Sequence, residues 1–217
     1  MIQAVIFDLD GVLVTTDEFH YLAWKHLAEE LGIHNFTKED NVRQRGVSRM
    51  ASLEVVLEKG DRTYTEEEKL KLADKKNTIY VNSLADLSPA DILPGVTDFI
   101  AFLKEKGIKT AIGSASKNTP LILEKTGLSD SFDAISCGLD TTKSKPDPEV
   151  FLIAAKKLGI NPENCVVIED SDAGIQAAKS GGMYALAVGA AKENPQADYA
   201  ADSLDTFDYE GNELFRD

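Results

Sequence analysis

The sequence predicts an α/β fold in which a parallel sheet carries an all-helical insertion, and three observations lead there. From Pro94 to Val188, strand-like and helix-like segments alternate, the order that parallel strands joined by right-handed crossovers require. From Thr15 to Leu87 the chain has helical periodicity and no convincing strand. An apolar, β-prone run, Ile2 to Phe7, precedes that block, so the helices interrupt the alternation directly after the first strand. The simplest arrangement is a core made of residues 1–14 and 92–217 with a helical domain, 15–91, inserted between them. A chain of 217 residues with 43% hydrophobic content suits one fair-sized core with such an insertion.

The elements follow in order. Ile2 to Phe7 reads as a buried strand. Thr15 and Glu18 stand in capping-box register for a helix carrying Phe19, Ala23, Leu27 and Leu31, which Gly32 ends. A second helix covers Met50 to Glu58 and ends at Gly60. Thr65 and Glu68 form another capping box, opening a helix through Leu70, Ala73, Asn77, Val81 and Leu84. After Pro94-Gly95 a helix uses Phe99, Ile100 and Leu103, and Ile108 to Gly113 is a strand. A helix with Pro120 in its first turn reaches Gly127, and Ala134 to Cys137 is a short strand. Asp147-Pro148 supplies N-cap and first residue of a helix closed by Gly159. Cys165 to Ile168 is a strand, Ser171 to Gly181 a helix, and Tyr184 to Val188 a strand. The acidic stretch from Lys192 onward has no assignable pattern.

A net charge of −14 argues against a nucleic-acid groove or a patch for anionic membranes. No apolar run approaches the ~18 residues of a membrane-spanning helix. The N-terminus lacks a basic region with a cleavage site, so no leader is expected. Cys137 and Cys165 lie in apolar, strand-like segments and are expected to be buried free thiols, which fits a reducing cytoplasm. Nothing in the sequence demands an oligomer, and a monomer is expected.

The first strand runs into Asp8-Leu9-Asp10-Gly11. In a strand, residues two apart share a face, so both carboxylates converge where the strand gives way to its loop. Two adjacent like charges are unfavourable unless a cation or a shared proton offsets them. Other strand ends carry Ser114 and Ser116, Lys145 before Pro146, and Glu169-Asp170. Each alone has a structural explanation: a turn residue, a helix cap, a solvated lysine, an acidic pair at a helix N-terminus. Together at one sheet edge they make four carboxylates, hydroxyls and one ammonium, which suit a hard divalent cation and a transferring phosphoryl group. The edge at the carboxyl ends of an open parallel sheet is where ligands bind, and an insertion entered from the first strand lies over it as a lid.

Asp8-Leu9-Asp10-Gly11-Val12, then Ser114, Lys145-Pro146 and Glu169-Asp170, resemble the four motifs of the haloacid dehalogenase-like (HAD) phosphotransferases. The resemblance covers nearly the whole chain and implies a Rossmann-like parallel-sheet core with an inserted all-helical cap. His20, Arg49 and Lys76 in the cap, Gly46-Val47-Ser48-Arg49 with Ser52, and Ser114-Ala115-Ser116-Lys117-Asn118 in the core are similar to the branch that acts as sugar-phosphate mutases. That branch interconverts β-D-glucose 1-phosphate and glucose 6-phosphate through an aspartyl-phosphate and glucose 1,6-bisphosphate. The resemblance implies Asp8 as nucleophile and Asp10 as general acid/base, with His20 hydrogen-bonding toward Asp10. Ser114 and Lys145 would contact the transferring phosphoryl group. Mg²⁺ would be held by Asp8, the backbone carbonyl of Asp10 and Asp170, with Glu169 nearby. Substrate contacts are implied for Thr16, Arg45, Gly46, Val47, Arg49, Ser52, Lys76, Ala115, Ser116, Lys117 and Asn118. Position 45 is arginine where the family pattern has lysine, and the two differ in hydration and hydrogen-bond geometry. The expected partner is a small phosphosugar. Alternatives on the same scaffold are a sugar-phosphate phosphatase, a mutase for a related sugar phosphate such as a disaccharide phosphate, and a non-catalytic phosphosugar sensor, which would need no nucleophile.

Overall fold

The computed structural model describes residues 1–216. One sheet holds β1 (Ala4–Phe7), β2 (Lys109–Gly113), β3 (Ala134–Ser136), β4 (Cys165–Glu169), β5 (Tyr184–Val188) and β6 (Tyr199–Ala201). Their order across the sheet is β3-β2-β1-β4-β5-β6, and every neighbouring pair is parallel. The period-two alternation of strand side chains divides β1 between two layers. Val5 and Phe7 join Phe99 and Leu103 of α5 (Val96–Glu105), Ile122 of α6 (Thr119–Thr126), and Leu204, Phe207 and Phe215 from the C-terminal chain. Ala4 and Ile6 point the other way, against Phe151 and Ala154 of α7 (Glu149–Leu158) and Ile175 and Ala178 of α8 (Asp172–Ser180). The result is a helix–sheet–helix sandwich, the expected α/β architecture.

Between β1 and α5 come α1 (Asp17–Glu30), α2 (Lys38–Val42), α3 (Arg49–Leu57) and α4 (Glu66–Ser83). These helices bury a cluster of their own, with Trp24, Leu27, Leu53, Val56 and Ala73. Tyr80 and Leu84 at the end of α4 instead join the sheet-side cluster, so this end of the block is seated on the core.

Several local expectations need correcting. The capping box at Thr15 and Glu18 does not form; α1 begins one residue later with Thr16 as its cap residue, and the Thr16 side chain makes no cap bond. Its hydroxyl donates elsewhere, to Asp10. The buried face of α4 is Ala73, Lys76 and Tyr80, while Leu70 is 56% exposed. Pro148 rather than Asp147 occupies the cap position before α7, with Asp147 Oδ1 accepting from the Glu149 amide at 3.0 Å. The unassigned C-terminal stretch contributes the edge strand β6. Helix α2, where the Thr37 amide donates to the Asp40 carboxylate at 2.9 Å, has no counterpart among the expected elements. The box at Thr65 and Glu68 forms as expected, and both cysteines are buried and free. Among the described residues no helix is long and apolar enough to cross a membrane.

Strand β1 pairs with β2 on one side and β4 on the other. The chain's excursions turn in opposite directions from this strand, which opens a crevice at its carboxyl end.

Candidate active site

Asp8 leaves the end of β1 into that crevice, and β4 ends in Glu169 directly beside it. The Lys145 ammonium, from the loop after β3, lies between them; it donates to Asp8 Oδ1 at 2.5 Å and is also paired with Glu169. Glu169 is held further by the amide and hydroxyl of Ser171, at 2.9 and 2.8 Å. Oxygens of Asp8, Glu169 and Asp170 gather within 4.8 Å of one another. Gly11 keeps this packing open: it has φ of +80°, and a Cβ there would fall on the Asp170 carboxylate.

Burial raises the Asp8 carboxyl well above its ordinary range, and the charges of Glu169 and Asp170 push the same way against the opposing pull of Lys145. Burial and Glu169 lift Asp170 to about 7. The same burial would neutralise a lone lysine, but Asp8 and Glu169 overcome it and keep Lys145 protonated. One ammonium thus serves a cluster of three acids, two of them buried and Asp170 partly so. An oxygen-only donor set with surplus negative charge is the chemistry a hard divalent cation accepts, so the residues fit such an ion.

Asp10 points to a different neighbourhood. Its Oδ1 accepts from the Thr16 hydroxyl, which accepts in turn from the Tyr80 hydroxyl at 3.1 Å. Burial raises the Asp10 carboxyl to about 6 against the Thr16 hydrogen bond, which lowers it. Thr16 is fully buried beneath Asp10 and does not line the cavity, so it is placed to orient Asp10 rather than to touch a substrate. His20 does not make the hydrogen bond to Asp10 that the resemblance implied. Its ring stacks on Tyr80, centroids 4.0 Å apart, and its Nδ1 lies 2.8 Å from Lys76 Nζ. With Lys76 as donor, His20 accepts at Nδ1, and burial with the charges of Lys76 and Arg49 keeps the ring neutral.

Lys76 is 2% exposed, has no carboxylate partner among the described residues, and lies over the rings of Trp24 and Tyr80 at 4.7 and 4.6 Å. Burial and Arg49 bring its amine down to about 7. A lysine depressed in the folded state destabilises the fold fully below the folded value and ceases to do so above the ordinary value of 10.5. Lys76→Met is therefore expected to raise the thermal midpoint by several degrees near pH 6, with the gain vanishing toward about pH 10. Thermal melts across that range check it; a midpoint lowered at every pH would contradict it.

Core and helical block enclose a cavity of about 520 Å³, within the range of small-ligand sites. The structure places Asp8, Asp10, His20, Arg45, Gly46, Val47, Arg49, Ser52, Lys76, Ser114, Ala115, Ser116, Lys117, Asn118, Lys145 and Asp170 on its wall. Glu169 and Thr16 stay behind it. Arg49 is the first residue of α3, whose start is set by Ser48 accepting from the Ala51 amide, and its only ionic contact among the described residues is with the exposed Asp74, at 3.8 Å. Arg45 is drawn to Asp17 at 2.7 Å. The Ser114 hydroxyl accepts from the Ser116 amide at 3.1 Å, and Asn118 donates to Asn77 of α4 at 2.9 Å. Sequence reasoning missed Tyr80, Asp17 and Asn77, whose partners are remote in the chain and leave no local pattern.

A model of the haloacid dehalogenase-like hydrolase family matches residues 2–182. The chain belongs to the haloacid dehalogenase-like hydrolases. It is 45% identical over 189 residues to the β-phosphoglucomutase of Bacillus subtilis (strain 168), covering 86% of this chain and 83% of that protein. It is 32% identical over 184 residues to a phosphorylated carbohydrates phosphatase of Thermotoga maritima, covering 83% and 82%. A crystal structure of a β-phosphoglucomutase from Clostridium difficile superposes with a TM-score of 0.92 at 41% identity, over 97% of this chain and 95% of that one. The parallel six-stranded sheet flanked by helices is thus a HAD fold.

Proposed function

We propose that the chain is an isomerase of β-phosphoglucomutase type, interconverting β-D-glucose 1-phosphate and glucose 6-phosphate through an aspartyl-phosphate enzyme and glucose 1,6-bisphosphate. The observation that carries this reading is a second, cationic pole in the cavity. Arg49 and Lys76 line the same cavity as Asp8 and Asp170; among the described residues Lys76 has no carboxylate partner and Arg49 has only the exposed Asp74, at 3.8 Å. A phosphatase needs to grip only the phosphate it removes; a mutase must hold a second phosphate while the first is transferred.

In this mechanism the helical segment 15–91 serves as the cap. Phosphorylated Asp8 passes its phosphoryl group to the 6-hydroxyl of β-glucose 1-phosphate, whose proton goes to Asp10. The bisphosphate turns end for end. Asp8 then attacks the phosphorus on C1, the bond from phosphorus to the sugar oxygen breaks, and Asp10 returns its proton to that oxygen as glucose 6-phosphate forms. Asp10 suits this alternation because burial places its carboxyl near 6. Lys145 and Ser114 are assigned to the transferring oxygens, and Arg49 to the other phosphate, where its planar fork can bind bidentately. The acidic pole fits Mg²⁺: Asp8, Asp170 and the backbone carbonyl of Asp10 would hold it, with Glu169 nearby, and it would offset phosphoryl charge there.

The test incubates the enzyme and Mg²⁺ with β-glucose 1-phosphate and a trace of bisphosphate. Glucose 6-phosphate without equivalent inorganic phosphate supports the mutase; equivalent free phosphate means a phosphatase. Arg49→Ala is expected to lower mutase kcat/KM by about 10- to 100-fold, the value of a charged hydrogen-bonded contact. Hydrolysis of a small phosphate ester should fall far less, and equal losses in both assays would contradict the assignment.

A further inference from the structure

Gln44 lies in the turn between α2 and α3, 8% exposed, on the cavity wall, with its backbone amide donating to the Asn41 carbonyl at 2.9 Å. Its Nε2 donates to the Ser52 carbonyl at 2.8 Å. Only the NH₂ end of an amide donates to a carbonyl, so this bond decides which end is which. The other end, Oε1, is buried and has no hydrogen-bond partner among the described residues. Ser136 Oγ shares that condition but lies outside the cavity lining. A buried acceptor without a donor carries an uncompensated desolvation cost and calls for an explanation. The Gln44 side chain lines the ligand cavity while Oε1 itself is closed to water, so a small turn of the side chain as the ligand enters would bring Oε1 to a donor on that ligand.

The chemistry of Oε1 restricts that donor. An ionised phosphate presents acceptor oxygens and cannot satisfy a carbonyl, whereas a sugar hydroxyl presents an O–H. We propose that Gln44 Oε1 accepts a hydrogen bond from a ring hydroxyl of the bound phosphosugar, making Gln44 a specificity-determining residue. It reads the sugar, while the cationic pole takes the phosphate; the inference rests on the phosphosugar reading of the cavity.

The test measures kcat/KM of wild type, Gln44→Leu and the packing-matched Gln44→Met on β-glucose 1-phosphate and its singly deoxygenated analogues at ring positions C2, C3 and C4. Wild type is expected to lose about 10- to 100-fold on one analogue, the penalty of leaving a buried acceptor unpaired. Both variants should lose activity on the parent sugar yet suffer no further loss on that analogue, a coupling that a merely structural role would not produce. A wild type indifferent to every deletion, or losses that simply multiply, would overturn the inference and leave the mutase standing. A wild type that turns over none of these phosphosugars would remove the mutase reading, and the role of Gln44 with it.

Discussion

Asp8→Asn is expected to lower turnover of β-glucose 1-phosphate by at least about 10⁴-fold, because an amide cannot take the phosphoryl group. The thermal midpoint measured without divalent cation should not fall. Burial and the neighbouring acids raise the Asp8 carboxyl in the folded state. A raised carboxyl stabilises the fold only while protonated, and that contribution is lost as pH rises through the folded value. The ionised form of the side chain therefore works against folding, and a neutral isostere removes the conflict. Lys145 keeps Glu169 as its partner in the variant. Retained mutase activity would remove Asp8 as nucleophile, and a large drop in midpoint would mean that its charge supports the fold.

Lys145→Met should damage both rate and stability. The ammonium is fully shielded, paired with Asp8 and Glu169, and packed 4.7 Å above the Phe151 ring. Removing it leaves two buried carboxylates uncompensated, for which breaking a buried pair costs about 3–5 kcal/mol. Denaturant unfolding at neutral pH reads that loss directly. The deficit should shrink as pH falls and the acids take up protons, and it should shrink when Mg²⁺ is added, since a divalent cation replaces the missing positive charge. Activity is expected to stay low even with saturating Mg²⁺, because the transferring oxygens lose their lysine. A variant as stable as wild type at neutral pH would show that the three acids do not depend on Lys145.

The core was legible because its signals are local. Asp8 and Asp10 stand two apart at the end of an apolar run, so one strand's geometry brings them to one edge. Ser114, Lys145 and Glu169-Asp170 follow strands whose parallel pairing brings their ends together. The errors fall where function or distance overrides local pattern. In α4, hydropathy favours burying Leu70 and exposing Lys76, and the fold does the reverse because Lys76 lines the cavity. Thr16 would have been an ordinary helix cap, but its hydroxyl serves Asp10 and is held by Tyr80, 64 positions away. Arg45 pairs with Asp17 across 28 positions. Strand β6 has only three residues at a half-exposed edge, and α2 only five, too few for either period to show.

The central claim, that Asp8 takes the phosphoryl group and returns it to sugar, is tested most directly by trapping the phosphoenzyme. Enzyme labelled by ³²P-bisphosphate, quenched in acid and digested should carry a hydroxylamine-sensitive label on the peptide containing Asp8. Chased with excess unlabelled β-glucose 1-phosphate, that label should leave as glucose bisphosphate. Label on Ser114, or label leaving only as inorganic phosphate, would contradict the account.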